Sequence, residues 1–232
     1  MEEDVKLQEL QNKISVEFKN KDLLREALTH RSYVNENENW KLDHNERLEF
    51  LGDAVLELII TEHLFKSFKE PEGVLTSWRA ALVNANMLSQ ISLKFDLNTY
   101  LYLSRGEAKD TGKARQYILA NAIESLIGAI YLDQGYGTTE KFIQKFILTE
   151  LSSIIEKKLY RDAKSRFQEE AQDKIGTTPT YEVLKEWGPD HAKNFEIGVY
   201  LGDELIGKGE GLSKQEAQQK AAEDALIKKE WN

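Results

Sequence analysis

Three carboxylate residues stand at helical spacing in a stretch that is otherwise strongly apolar. Glu46, Glu49 and Asp53 occupy positions i, i+3 and i+7, so they share one face of a helix. Like charges stacked in this way repel each other unless a positive group offsets them. Apolar neighbours such as Phe50 and Leu51 predict that the helix is otherwise buried. An acidic stripe on such a helix indicates a site for a hard divalent cation such as Mg²⁺, which takes oxygen ligands.

A second pair of oxygen-bearing side chains lies on another apolar stretch. Asn121 and Glu124 are i, i+3 neighbours and share one helix face. If this helix packs antiparallel to the first, both side chains can meet Glu49 and Asp53, and four oxygen donors converge. A divalent cation held there can lower the pKa of a water molecule, orient it and neutralise charge at phosphorus. The competing interpretation is a solvated helix face with ordinary ion pairs, which the apolar surroundings disfavour.

The composition excludes other kinds of chemistry. The chain has 232 residues and no cysteine, so disulfides, thiolate metal sites and cysteine nucleophiles are excluded. Its first residues lack the basic and apolar regions of a signal peptide, and no apolar run reaches the length of a membrane span. We therefore expect a cytoplasmic protein without a membrane partner. The net charge of −9 requires any nucleic acid to meet a local basic patch rather than the mean surface.

The periodicity of apolar residues predicts two domains. Residues 1–155 show helical spacing throughout, whereas residues 163–232 predict a helix, three strands and a final helix. Residues 156–162 are the predicted linker between them. Ser213 and Glu216 form the pattern of a capping box at the start of the last helix. The expected architecture is an all-α domain followed by a small α+β domain of order α-β-β-β-α.

The motif NERLEFLGD at residues 45–53 resembles the signature of the ribonuclease III family. Supporting motifs in the N-terminal part are ALTHRS at 27–32, LTSWRAALV at 75–83 and the apolar stretch at 118–133. The C-terminal part resembles a double-stranded RNA-binding domain through GPDH at 188–191, GKGEG at 207–211 and SKQEA at 213–217. The likeness covers nearly the whole chain in the bacterial domain order.

The resemblance implies an all-α ribonuclease III nuclease domain joined to a double-stranded RNA-binding domain. It implies a homodimeric endonuclease that hydrolyses both strands of duplex RNA in rRNA and mRNA precursors. Its products would carry 5′-phosphates and short 3′ overhangs. The family's metal-binding acids fall on Glu49, Asp53 and Glu124, with catalysis assigned to the last two, and the implied cofactor is Mg²⁺ with Mn²⁺ as a substitute.

Two further residues of the signature match family positions. Glu46 matches an acid of the family's cleft, with a role in contacts to the substrate or the cut site. Phe50 matches an aromatic residue that packs into the partner subunit. From the residues alone, a plain core phenylalanine is nearly as good an interpretation of Phe50.

Asn121 departs from the family pattern, which has Asp at this position. An amide oxygen can still ligate a cation, but the change removes one negative charge and weakens metal affinity by several kcal/mol at most. The chain is then a natural variant with weaker metal affinity, an engineered inactive form, or a natural RNA binder that has lost cleavage. Because the three carboxylates Glu49, Asp53 and Glu124 persist, the sequence favours a retained nuclease.

The small domain offers donors for the wide, shallow minor groove of A-form RNA. Ser165, Gln168 and Gln172 lie on its first helix, and His191 lies in the loop that contains GPDH. Lys214, at the start of the last helix, is predicted to meet phosphates together with free backbone N–H groups. Ordinary surface polarity is the competing interpretation for each residue singly.

The charge of the small domain limits the expected strength of RNA binding. Gln215 and Gln218 stand where the family usually has Lys. Residues 162–232 hold 10 Lys and Arg against 15 Asp and Glu. We therefore predict modest RNA affinity with a shallow salt dependence, because few phosphates are contacted.

Overall fold

The computed structural model describes residues 2–109, 111–160, 162–189 and 193–231. The chain divides into two compact units, Met1–Tyr160 and Arg161–Asn232.

The described part of the first unit is helical, with one isolated bridge between Thr29 and Tyr102. Its α-helices are α1 (Glu2–Ile14), α2 (Lys21–Ala27), α3 (Arg31–Glu36), α4 (Glu46–Ser67), α5 (Glu72–Val83), α6 (Ala85–Leu93), α7 (Lys113–Gln134), α8 (Tyr136–Phe146) and α9 (Leu151–Glu156). Short 3-10 helices cover Leu97–Tyr100, Glu107–Lys109 and Leu148–Glu150. The predicted all-α domain is confirmed.

The core of this unit is built around α4 and α7, the two longest helices. Leu56 and Ile60 of α4 and Ile123, Leu126 and Ile130 of α7 are completely buried. Because both helices are apolar over most of their circumference, each packs against neighbours on several sides. The predicted site residues Glu49 and Asp53 of α4 and Asn121 and Glu124 of α7 interrupt these apolar helices.

The second unit contains α10 (Ala163–Ile175), β1 (Thr180–Trp187), β2 (Asn194–Leu201), β3 (Glu204–Gly211) and α11 (Lys214–Lys228). The three strands form an antiparallel sheet in the order β1-β2-β3. A two-residue turn connects β2 to β3, and Gly202 adopts a φ of 61° there, a conformation that glycine tolerates best. The predicted α-β-β-β-α order is confirmed.

The helices of the second unit pack on one side of the sheet. Phe167 of α10 stacks on Trp231 with ring centroids 5.4 Å apart, and Ala221 of α11 is completely buried. Ser213 caps α11 by accepting a hydrogen bond of 3.1 Å from the Glu216 backbone N–H. The Glu216 carboxylate accepts a hydrogen bond of 3.0 Å from the backbone N–H of Leu212, just before the helix.

Within the ranges that the structure describes, none of the helices combines the length and the apolarity that a bilayer crossing needs.

Candidate active site

Helices α4 and α7 cross with their backbones in direct contact at Gly52 and Gly128. A Cβ atom at Gly52 would lie 1.7 Å from the carbonyl oxygen of Glu124. One at Gly128 would lie 2.2 Å from the carbonyl oxygen of Leu48. Leu48 contacts Gly128 and Gly52 contacts Glu124, so the contact partners move forward along α4 and backward along α7. The two helices therefore run antiparallel. Only glycine permits this close an approach, and it brings the polar faces of both helices together.

The crossing places the carboxylates of both helices close enough to influence one another. Burial raises the pKa of Glu124 to about 7, and the negative charges of Asp53 and Glu49 add to the increase. The charged groups that shift this pKa, Asp53 and Glu49, are both anions. Neither of them can offset the charge of ionised Glu124. A buried carboxylate in that setting is a favourable place for a cation to bind.

Asn121 lies close enough to Glu49 for its amide to affect the pKa of that carboxyl. Burial, followed by the charge of Glu46, raises the pKa of the Glu49 carboxyl, and the Asn121 amide partly opposes this rise. The charge of Asp53 raises it further. An ionised aspartate at position 121 could not act as a donor toward Glu49 and would add another negative charge to the site.

The carboxylates perturb each other electrostatically but do not converge on a single point. Among the residues described, no group of three or more His, Cys, Asp or Glu side chains is arranged to hold a metal ion. The donor set itself, three carboxylates and one amide oxygen, fits a hard cation that prefers oxygen ligands.

A cleft of about 470 Å³ opens beside these residues. It is lined by His30, Arg31, Asn45, Glu46, Glu49, Tyr117, Ile118 and Asn121. The Arg31 guanidinium, a positive group at the rim of the cleft, lies 3.5 Å from the Glu46 carboxylate. Sequence reasoning missed both Arg31 and Tyr117. Tyr117 precedes Asn121 by one helical turn, so the helical spacing could have identified it.

Replacing Glu124 by Gln is expected to stabilise the metal-free protein at about pH 8 but not at about pH 4. The pKa of Glu124 is about 7 in the folded state, whereas its ordinary value is 4.5. The free energy of unfolding therefore falls as the pH rises from 4.5 to about 7. The side chain is partly solvent-screened, so we expect a gain in the free energy of unfolding of about 1–2 kcal/mol.

Urea unfolding in EDTA at several pH values measures this difference. Glu57→Gln, at an exposed position of α4, is the matched control and should show a smaller change. Equal stability of the wild type and Glu124→Gln at about pH 8 would contradict the electrostatic description of the site.

Phe50 is 82% exposed, so its interpretation as a core residue of a single protomer is wrong. Leu58 and Phe65, also on α4, are 57% and 73% exposed. Helical geometry places the three side chains within one stripe on the same face of α4. A stripe of large apolar side chains exposed to water is typical of an interaction surface.

The predicted RNA-contacting residues of α10 lie on the surface of the C-terminal unit. Gln168 and Gln172 are exposed and one turn apart. The Ser165 backbone N–H and hydroxyl both donate to the carboxylate of Asp162, at 2.9 and 2.7 Å. Ser165 therefore helps to cap α10, a role that sequence reasoning missed although Asp162 stands at the N-cap spacing.

The other two predicted RNA contacts are Lys214, at the start of α11, and His191, which falls between β1 and β2 in the sequence. Lys214 is exposed, and its ammonium lies 3.4 Å from the carboxylate of Glu186. His191 lies outside the described residues.

Fold and site together define a helical nuclease domain followed by a domain that binds double-stranded RNA. Family models agree with both assignments. The model for Ribonuclease-III-like domains matches residues 20–151, and the model for the double-stranded RNA binding motif matches residues 163–229.

Proteins named Ribonuclease 3 are similar along nearly the whole chain. The one from Borreliella afzelii is 43% identical over 226 residues, covering 97% of this chain and 92% of that protein. The one from Natranaerobius thermophilus is 45% identical over 221 residues, covering 95% of each. The solved nuclease domain of ribonuclease III from Campylobacter jejuni has a TM-score of 0.56 and 40% identity. It covers 62% of this chain and 96% of its own, and a region involved in dimer formation is flexible in it.

The chain belongs to the ribonuclease III family. Its activity is the endonucleolytic hydrolysis of double-stranded RNA.

Proposed function

We propose that this chain cleaves duplex RNA as a metal-dependent homodimer, with Glu49, Asp53, Asn121 and Glu124 at the reaction centre. The observation that carries the proposal is the close crossing of α4 and α7. It brings Glu124 near enough to Asp53 and Glu49 for their charges to add to the pKa rise that burial causes, with no basic group among those that shift this pKa. The proposed cofactor is Mg²⁺, with Mn²⁺ as a substitute, because every available donor is an oxygen atom.

Each residue of the proposed centre has a separate task. Mg²⁺, when bound, supplies a Lewis acid that activates water and offsets charge at the phosphodiester. Asp53 is exposed and Glu124 is mostly buried, so their carboxylates would hold the cation from the solvent side and from the core side. The Asn121 amide, which favours the ionised form of the Glu49 carboxyl, would offer its oxygen as a further ligand.

The cleft would hold the RNA next to this centre. Glu46 and Arg31 form its polar rim, where they could contact the backbone and the 2′-hydroxyl groups of the substrate. Hydrolysis would leave the phosphate on the 5′ end of each product. The two centres of a dimer, each cutting one strand, would give short 3′ overhangs. We place this activity in the processing of rRNA and mRNA precursors in the cytoplasm.

Asn121→Asp is expected to lower the Mg²⁺ concentration needed for half-maximal cleavage by about tenfold or more. The substitution restores one negative charge in a partly desolvated site, where a single charge changes metal affinity by up to several kcal/mol. Cleavage of a labelled duplex of about 30 base pairs, measured across Mg²⁺ and Mn²⁺ concentrations, tests this. Equal metal dependence of the two proteins would show that the missing charge is unimportant. Retained RNA binding without cleavage at any metal concentration would identify a non-cleaving RNA binder.

Phe50→Asp is expected to convert the proposed homodimer into monomers at micromolar concentration. A charge placed in the centre of an apolar interface is desolvated without a partner, which costs several kcal/mol of association free energy. Sedimentation analysis measures the change, and Val5→Asp on α1 is the matched control because it also replaces an exposed apolar side chain. A monomeric wild type, or a dimer in Phe50→Asp, would remove Phe50 from the interface.

A further inference from the structure

The carboxylate of Glu186 lies between two lysine ammonium groups on the surface of the C-terminal unit. Its Oε2 is 2.9 Å from Nζ of Lys193, and its Oε1 is 3.4 Å from Nζ of Lys214. The three side chains are 33%, 40% and 58% exposed in that order, so ligands in solution can reach them. A single carboxylate therefore contacts two cations, and the three side chains together carry a net charge of +1.

The strand register holds this arrangement in place. Glu186, in β1, pairs with Phe195 of β2, and Lys193 directly precedes that strand. Lys214 is the first residue of α11, and its ammonium lies 5.5 Å from the centroid of the Phe195 ring. Because β1, β2 and α11 belong to one folded unit, the carboxylate and both cations are kept together by the fold itself.

Most lysines of the unit are held by carboxylates in the same way. Further ion pairs join Lys174 to Glu170, Lys208 to Glu196, Lys220 to Glu216, Lys228 to Asp224 and Lys229 to Glu204. The Glu186 carboxylate contacts two lysines, and one of them is the proposed phosphate contact Lys214. An RNA phosphate that approaches Lys214 meets a cation that already has an oxyanion partner.

We propose that Glu186 is an internal competitor of the RNA backbone, so that a phosphate must replace its carboxylate at Lys214 and Lys193 before duplex RNA is held. This inference rests on the proposed function, in which Lys214 meets phosphates. Carboxylate and phosphate oxygens accept the same charge-assisted hydrogen bonds from an ammonium group, so each excludes the other. Glu186 thereby lowers RNA affinity and also lowers its dependence on salt.

The competitor is present throughout the neutral pH range. The hydrogen bond from Lys193 and then the charge of the two ammonium groups hold the pKa of the Glu186 carboxyl below its ordinary value. The carboxylate therefore stays ionised wherever the enzyme meets its substrate. Salt or a polyanion, rather than a proton, is what displaces it.

Glu186→Gln is expected to tighten duplex RNA binding about three- to tenfold, since it removes two exposed ion pairs that RNA must otherwise break. The slope of log affinity against log salt should steepen by about one, because one more cation becomes available to release counterions from the RNA. Fluorescence anisotropy of a labelled duplex with the full chain in EDTA, across KCl concentrations, measures both quantities without cleavage.

Glu204→Gln is the matched control, because it makes the same change in net charge at a distant place. Glu204 pairs with Leu201 of β2, which lies six residues, or about 20 Å, along the strand from Phe195, the partner of Glu186. It should leave affinity and salt slope nearly unchanged. An equal increase in Glu204→Gln would show that net charge acts at long range and would overturn the proposal.

Lys214→Ala separates this inference from the proposed function. If Lys214→Ala weakens binding and Glu186→Gln does not tighten it, the RNA contact stands and the competitor is disproved. If neither substitution changes binding, the RNA contact at Lys214 fails and the competitor fails with it. Weaker binding by Glu186→Gln, with unfolding midpoints equal to the wild type, would also overturn the proposal.

Discussion

Duplex RNA cleavage by Glu124→Gln is expected to fall by about three orders of magnitude or more at saturating Mg²⁺. The half-buried carboxylate would contribute a full negative charge to the cation, and the amide removes this charge while keeping the size and shape of the side chain. Binding of RNA should be unchanged, because the C-terminal unit and the cleft rim are not altered. Single-turnover cleavage and anisotropy binding measure the two effects separately.

The predicted gain in stability makes this experiment decisive. A purely structural residue would lose stability and activity together when it is replaced. Glu124→Gln should instead unfold at higher urea concentration than the wild type in metal-free buffer near pH 8, since an unfavourable buried charge is removed. Full activity in the variant would remove Glu124 from the reaction centre.

Gly52→Ala is expected to destabilise the protein by about 3 kcal/mol or more, among the largest effects of any single methyl group in this chain. The new Cβ would lie 1.7 Å from the carbonyl oxygen of Glu124, and a backbone atom cannot move aside as a flexible side chain can. Helices α4 and α7 must then separate, which also moves the carboxylates apart. We expect cleavage to fall in any molecules that still fold.

Gly73→Ala is the control for this substitution. Gly73 also lies in a helix, α5, but a Cβ there meets nothing within 4 Å. Alanine should be neutral or slightly stabilising there, because it lowers the conformational entropy of the unfolded chain. Thermal unfolding of both variants measures the contrast, and a wild-type midpoint for Gly52→Ala would contradict the close helix crossing.

The helices and their acidic faces could be predicted because they follow from local rules. Apolar spacing identified α4 and α7, and the i, i+3 and i+7 positions placed Glu49 and Asp53 on one face. A short motif likewise predicted that Ser213 is the N-cap of the last helix, and this prediction is confirmed. Features of this kind depend on residues fewer than eight positions apart, so a single sequence contains them.

Features that depend on distant residues could not be predicted in the same way. The contact of Arg31 with Glu46 needs the loop between α3 and α4, and the contact of Glu186 with Lys214 joins a strand to a helix 28 positions later. The exposure of Phe50 was also undetermined, because an apolar residue on an apolar helix can face either the core or a partner. Packing of the whole unit decided each of these.

Cleavage of a labelled duplex of about 30 base pairs as a function of Mg²⁺, by the wild type and by Asp53→Asn, tests the central claim most directly. The claim is that oxygen atoms of α4 and α7 hold a divalent cation that serves the hydrolysis of RNA. We predict no cleavage in EDTA, saturable cleavage with added Mg²⁺, and a loss of about three orders of magnitude in Asp53→Asn with RNA binding intact. Cleavage in EDTA at the wild-type rate, or full activity of Asp53→Asn, would contradict it.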